Sequence, residues 1–267
     1  MPMGKRVKVA GGEIAYDVTG GGAALLLLHA FPLSRAMWSG QVEAFERQWR
    51  VVRFDVRGLG ESSASDGIVT MERIADDAAA ILDHVGGSQA VVCGLSMGGY
   101  AALAFARRYP ERLRGLVLAD TRADADTPDA RRGRAELGER IRREGTSAAA
   151  DVMIPKLLGQ TTKEQRPEIA AQLRRIIEAT GPAGVCDALA GLAARADSRP
   201  TLRQIRVPTL VLCGEEDVLT PPAQAEALAG AIPGAHYELI PGAGHLSNLE
   251  NPDAFNAALE RFLRRLI

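Results

Sequence analysis

The sequence predicts an α/β fold, a mostly parallel sheet of about eight strands with helices on both faces and one helical insertion. Short apolar runs bounded by glycine, proline or aspartate alternate with segments of helical period. The chain is 267 residues long and 46% hydrophobic, enough for one large core. Between Asp120 and Arg206 there is no strand-like run, only charged, alanine-rich segments at helical spacing.

The elements follow in order. Val7 to Val9 and Ile14 to Thr19 flank Ala10-Gly11-Gly12-Glu13, whose glycines supply the positive backbone angles of a hairpin turn. The parallel set then reads Ala24 to His29, Val51 to Asp55, Ala90 to Cys93, Gly115 to Asp120, Thr209 to Cys213 and His236 to Ile240. Helices are expected at Ser34 to Gln48, Thr70 to Val85, Met97 to Tyr109, Pro222 to Ala231 and Pro252 to Leu266. In the insertion, helices at Pro128 to Glu144, Ser147 to Leu158, Lys163 to Thr180 and Pro182 to Arg195 are separated by Gly145, Gly159 and Gly181-Pro182. A structureless loop of that length is implausible in a compact domain, so residues 1–121 and 200–267 are expected to form the core and residues 122–199 a helical cap.

The charge balance narrows the partners. With 32 basic and 33 acidic residues the formal net charge is −1, and no basic stripe interleaves with aromatics. Nucleic acid and anionic membrane surfaces are therefore not expected partners, whereas a small-molecule substrate is; oligomeric state is not legible. Cys93, Cys186 and Cys213 are an odd number, two of them in apolar runs, which predicts reduced thiols and a cytoplasmic location. Met1 to Ala10 lacks the apolar core of a secretion signal, and no run approaches the roughly 18 apolar residues of a bilayer span.

The most informative local pattern is Gly94-Leu95-Ser96-Met97-Gly98, between an apolar run and a helical segment. A sharp strand-to-helix turn strains its central residue, and side chains at either glycine would collide with backbone. Such a turn exposes the serine oxygen and aims the helix dipole and the Met97 amide at charge developing beside it. Serine is a weak nucleophile, so Ser96 requires a base and an acid that orients it. His245, in the loop Pro241-Gly242-Ala243-Gly244-His245-Leu246, is the candidate base; His84 and His236 read as packing or surface residues. Two acids stand at strand ends, Asp217 and Asp120. Asp217 is preferred because the order nucleophile, acid, histidine suits this topology, with Asp120 structural at the start of the cap.

These residues resemble the α/β-hydrolase family. His29-Ala30-Phe31-Pro32 matches its His-Gly-x-Pro loop, Asp55-Val56-Arg57-Gly58-Leu59-Gly60-Glu61-Ser62 matches Asp-x-Arg-Gly-x-Gly-x-Ser, and the elbow, acid loop and histidine loop follow in order. The resemblance implies a Ser96, Asp217, His245 triad, an oxyanion hole from the amides of Phe31 and Met97, and no metal or organic cofactor. It also implies that His29 holds the oxyanion loop and that Arg57 with Asp55 braces its neighbour. Ala30 departs from the family glycine, at a cost of about 1 kcal/mol if that backbone needs a positive φ.

Within the family the motifs are similar to small capped carboxylesterases and lactonases, including beta-ketoadipate enol-lactone hydrolases. The implied activity is cleavage of small, largely apolar carboxylic esters or lactones through an acyl-enzyme. A cofactor-free perhydrolase or haloperoxidase-type activity, or a ligand receptor with residual hydrolysis, are the alternatives. Phe31, Trp38, Met97, Leu219 and Leu246 flank catalytic positions and are expected to line the pocket, roofed by segments around Met153 to Leu158 and Leu173 to Ile177.

Overall fold

A computed structural model describes residues 5–266; Ile267 and residues 1–4, the start of the segment read for a secretion signal, lie outside the described residues. In chain order, β1 (Lys5–Val9), β2 (Gly12–Thr19) and β3 (Ala24–Leu28) precede α1 (Ser39–Phe45), β4 (Arg50–Phe54), α2 (Met71–His84), β5 (Ala90–Leu95), α3 (Met97–Arg108) and β6 (Leu113–Ala119). Six helices follow: α4 (Pro128–Glu144), α5 (Ser147–Leu157), α6 (Gln160–Gln165), α7 (Glu168–Glu178), α8 (Pro182–Ala194) and the single turn α9 (Arg199–Leu202). The chain closes with β7 (Thr209–Gly214), α10 (Pro222–Ala231), β8 (His236–Ile240), α11 (Ser247–Glu250) and α12 (Pro252–Leu263).

The eight strands form one sheet in the order β1-β2-β4-β3-β5-β6-β7-β8. β1 pairs antiparallel with β2, and β2 with β4; every other pairing is parallel. Every residue of β3, β5 and β7 is buried, which requires cover on both faces and explains their unbroken apolar runs. Each fully buried leucine of Leu25–Leu28 contributes about 2 kcal/mol of transfer free energy. The parallel strands point the same way, so the loops after β3, β5, β6 and β7 emerge at one sheet edge.

Two helical expectations are corrected. Ser34 to Gln48 is a 3₁₀ turn, Arg35–Trp38, followed by the short α1, with the Ser34 hydroxyl capping the turn. Lys163 to Thr180 is two helices, α6 and α7, because Pro167 has no amide hydrogen and disfavours helical geometry in the residue before it. The short turn α11 lacks any periodic signal. None of the helices described is long and apolar enough to span a bilayer alone.

The inserted helices pack α4 against α8 and α5 against α7. They meet the core at close backbone contacts: a Cβ on Gly184 of α8 would strike the backbone of Gly58, in the loop after β4. Gly184→Ala is therefore expected to lose about 2 kcal/mol in a denaturant titration. Gly133→Ala, in α4 where an added Cβ meets nothing within 4 Å, is expected to gain about 0.5–1 kcal/mol.

Candidate active site

Ser96 sits at the junction of β5 and α3 with φ 56° and ψ −113°, the left-handed backbone that the elbow sequence predicts. The turn is that tight because backbone stands where side chains would be. A Cβ on Gly94 would fall on the Gly98 carbonyl, and one on Gly98 on the Leu28 carbonyl of β3. The Ser96 amide donates to the Ala119 carbonyl at 2.9 Å and the Thr121 hydroxyl donates to the Ser96 carbonyl at 2.9 Å, so neighbouring β6 holds the elbow.

Three distant segments meet here. His245 Nε2 lies 2.8 Å from Ser96 Oγ, and Nδ1 lies 2.8 Å from Asp217 Oδ2. Burial pushes the Asp217 carboxyl up, but the neighbouring imidazole and the hydrogen bonds from His245 and Thr220 outweigh it and hold it below the usual aspartate value. An ionised Asp217 accepts only, so Nδ1 carries the proton and Nε2 is the acceptor facing the serine hydroxyl. Asp217 also accepts the amides of Leu219 at 2.8 Å and Thr220 at 3.0 Å, and the Thr220 hydroxyl. Sequence reasoning did not find Thr220; its only signal is its place three residues after the acid.

Asp120, the competing acid, is fully buried with a left-handed φ of 46°. It accepts the Gly214 amide at 2.8 Å and the Ser247 hydroxyl, joining the acid loop to the start of α11 rather than touching His245. Burial first and the Asp217 charge second push its carboxyl well above the usual range. Asp120, Cys213 and Asp217 offer donor atoms within 4.8 Å of one another, a spacing open to a metal ion. The fit is poor: both carboxylates already accept protein hydrogen bonds, and burial pushes the Cys213 thiol, which donates to backbone carbonyls, far up.

The loop after β3 brings Phe31 to a cavity that it lines together with Ser96 and His245. Among the described residues, neither the Phe31 nor the Met97 amide donates to a protein acceptor. His29 holds this loop: Nδ1 donates to the Ala30 carbonyl at 2.9 Å, Nε2 accepts the Val56 amide at 2.9 Å, and burial lowers its basicity. Ala30 is not among the residues of positive φ, so alanine in place of glycine incurs no strain there.

The bracing of the next loop differs from expectation. Arg57 pairs with Asp77 of α2, at 2.6 Å from both Nε and Nη2, while Asp55 pairs with the Arg35 guanidinium and accepts the amides of Arg35 and Glu61. The loop wraps the Asp55 carboxylate so tightly that a Cβ at Gly60 would overlap it. Arg57 is directed across the loop, so its partner lies on α2.

A cavity of about 320 Å³ opens onto Ser96 and His245. Phe31 and Leu219 line it, together with Met153 from α5 and Leu137, Leu189 and Leu192 from α4 and α8. Trp38, Met97 and Leu246 do not: all three are buried in the core, Trp38 against Phe255 with ring centroids 6.1 Å apart, because flanking a site in sequence does not direct a side chain into it. Leu173 and Ile177 are buried in α7 and are likewise absent from the wall. Two further acids join the inserted helices to the site. Glu250 accepts the amides of Gly159 at 2.7 Å and Leu246 at 3.0 Å, Glu216 accepts the Thr161 amide at 2.8 Å, and the His245 amide donates to the Leu157 carbonyl at 3.1 Å.

A serine on a sharp strand-to-helix turn of a mostly parallel sheet, with a histidine and an aspartate from the loops after β8 and β7 beside it, is the arrangement of a hydrolase fold. The profile of the alpha/beta hydrolase fold matches residues 23–252, and the chain belongs to that family. It is 33% identical to 3-oxoadipate enol-lactonase 2 of Acinetobacter baylyi, covering 91% of this chain and 89% of that one. An esterase from Thermogutta terrifontis, solved with malate bound, superposes with a TM-score of 0.95 at 43% identity over 98% of this chain and 99% of that one. The enol-lactonase from Burkholderia xenovorans LB400 superposes at 0.91 with 34% identity, over 97% and 100%.

A far-downfield Nδ1 proton resonance of His245 is expected by NMR, lost in Asp217→Asn and kept in Asp120→Asn. The reverse pattern would transfer the pairing to Asp120.

Proposed function

We propose that the protein hydrolyses carboxylic esters or lactones of small, largely apolar substrates through an acyl-enzyme on Ser96. The continuous path Ser96 Oγ, His245 Nε2, His245 Nδ1, Asp217 Oδ2, with both contacts at 2.8 Å, carries this reading. The esterase and enol-lactonase relatives support the ester or lactone as substrate.

Ser96 Oγ bonds to the substrate carbonyl carbon as His245 Nε2 takes the hydroxyl proton. The carbonyl π electrons move to oxygen, where the Phe31 and Met97 amides receive the negative charge. Each such preorganised donor contributes about 3 kcal/mol to the transition state. Collapse of the tetrahedral species breaks the bond to the alkoxy oxygen, which leaves with the proton from His245. Water, deprotonated by the same nitrogen, attacks the acyl-enzyme; the acid departs and the proton returns to Ser96. With a lactone the two products are one hydroxy acid, or its keto tautomer from an enol lactone. Asp217 stabilises the transient imidazolium and keeps Nε2 turned to the serine. The inserted helices supply much of the cavity wall, and the buried free thiols suit a reducing cytoplasmic setting.

A fluorophosphonate probe is expected to label wild type and not Ser96→Ala, and p-nitrophenyl acetate to give a burst that Ser96→Ala lacks. Asp217→Asn is expected to lower kcat by about 10⁴-fold. Equal labelling of Ser96→Ala would remove the serine from the mechanism.

A further inference from the structure

The peptide unit that carries the Phe31 amide hydrogen also carries the Ala30 carbonyl. That unit is trans, so its C=O and N–H point in opposite directions, and whatever holds the oxygen aims the hydrogen. The Ala30 oxygen accepts the Leu33 amide at 2.9 Å and His29 Nδ1 at 2.9 Å. Both bonds act on one side of the Ala30 Cα. The turn of the chain at Ala30 is fixed only when the preceding unit, between His29 and Ala30, is held as well.

That preceding unit is held by sulfur. The Ala30 amide donates to the Met37 thioether, with N 3.2 Å from Sδ, and among the described residues it has no other acceptor. Ala30 and Met37 are both fully buried, so water does not serve this amide. A leucine would fill nearly the same volume but would leave the amide without a partner, which is costly in a core. Met37 is itself fixed at both backbone groups. Its amide donates to the Ser34 carbonyl at 3.1 Å within the 3₁₀ turn Arg35–Trp38, and its carbonyl accepts Asn248 Nδ2 at 3.0 Å. Asn248 belongs to α11, which begins two residues after His245. The sulfur is therefore seated by the segment that follows the histidine loop, and it bears on the loop that carries Phe31.

We propose that Met37 is a positioning residue whose sulfur, by accepting the Ala30 amide, aims the Phe31 amide at the negative oxygen formed beside Ser96. This rests on the ester hydrolase reading and adds to it a residue outside the cavity wall. A donor directed at charge that exists only in the transition state raises kcat without tightening substrate binding. Loss of the sulfur therefore lowers kcat and kcat/KM together. A methionine that only filled space would be replaceable by any side chain of its shape.

Norleucine in place of methionine exchanges the sulfur for a methylene at nearly constant shape, whereas selenomethionine keeps an acceptor there. All six methionines change together, so Met37→Leu, which lacks the sulfur from the outset, is the control background. With p-nitrophenyl acetate, the norleucine protein is expected to show kcat and kcat/KM about tenfold below the methionine and selenomethionine proteins, part of the roughly 10²–10³-fold cost of losing a donor outright. Affinity for a trifluoromethyl ketone, whose adduct with Ser96 carries an anionic oxygen, is expected to fall by the same factor, and the pH profile of kcat/KM to stay in place. In Met37→Leu, norleucine is expected to cause no further loss. No loss in the norleucine protein, or the same loss in both backgrounds, would overturn the proposal and leave the esterase reading standing. Hydrogen exchange reads the bond without turnover: the Ala30 amide is expected to exchange about tenfold faster or more in Met37→Leu and in the norleucine protein, with the Leu26–Leu28 amides unchanged. Unchanged exchange at Ala30, or faster exchange with unaltered kinetics, would equally sink it. A wild type that neither cleaves esters nor takes the fluorophosphonate label overturns the hydrolase reading itself, and exchange at Ala30 then decides alone whether Met37 holds this loop.

Discussion

The close passage of backbone at the elbow governs this molecule. Ser96 holds a left-handed conformation that costs about 1–3 kcal/mol for a residue with a side chain, and it stays there because the surrounding structure leaves no alternative. Gly94 lies against the Gly98 carbonyl and Gly98 against that of Leu28, so strand, turn and helix are locked in one arrangement. The strain is borne by β5, a central strand buried along its whole length between β3 and β6. A hydroxyl lifted from the sheet edge in this way is reachable by the loops after β7 and β8, on the β6 side of β5, which lets residues 121 and 149 positions away in sequence converge on it.

Buried charge organises the rest of the edge. Two aspartates lie close together on adjacent loops and behave oppositely because their neighbours differ. Asp217 has an imidazole and three hydrogen-bond donors and ionises readily, while Asp120, deeper and beside that negative charge, has its ionisation suppressed. Behind the loop after β3, Asp55 gathers Arg35 and two amides, and His29 spans two loops as a neutral bridge. Such polar clusters are stabilising only when every member is satisfied, and here the backbone supplies most of the partners.

The inserted helices are not a separate lid resting on the site. Their α5–α6 connection is bonded to the acid loop through Glu216 and to the histidine loop through Glu250, and a Cβ at Gly244 would strike the Gly159 backbone. A displacement of that connection therefore moves the loops that carry Asp217 and His245. The same helices supply aliphatic wall to the cavity over Ser96 through Leu137, Met153, Leu189 and Leu192.

Local sequence was sufficient for the elbow, for the strands and for the alternation that makes the sheet parallel, because each rests on short-range rules: glycine where backbone crowds, apolar runs where both faces are covered, proline and glycine at helix ends. It also singled out Ser96, His245 and Asp217, since strand-end loops of this topology converge on one edge. Tertiary structure alone decided the rest. Arg57 pairs with Asp77 and not Asp55, Thr220 and Ser247 distinguish the two acids, and Trp38, Met97 and Leu246 turn into the core although they neighbour the site in sequence. The direction of a side chain and the identity of a partner dozens of residues away depend on packing between elements, which no local pattern records.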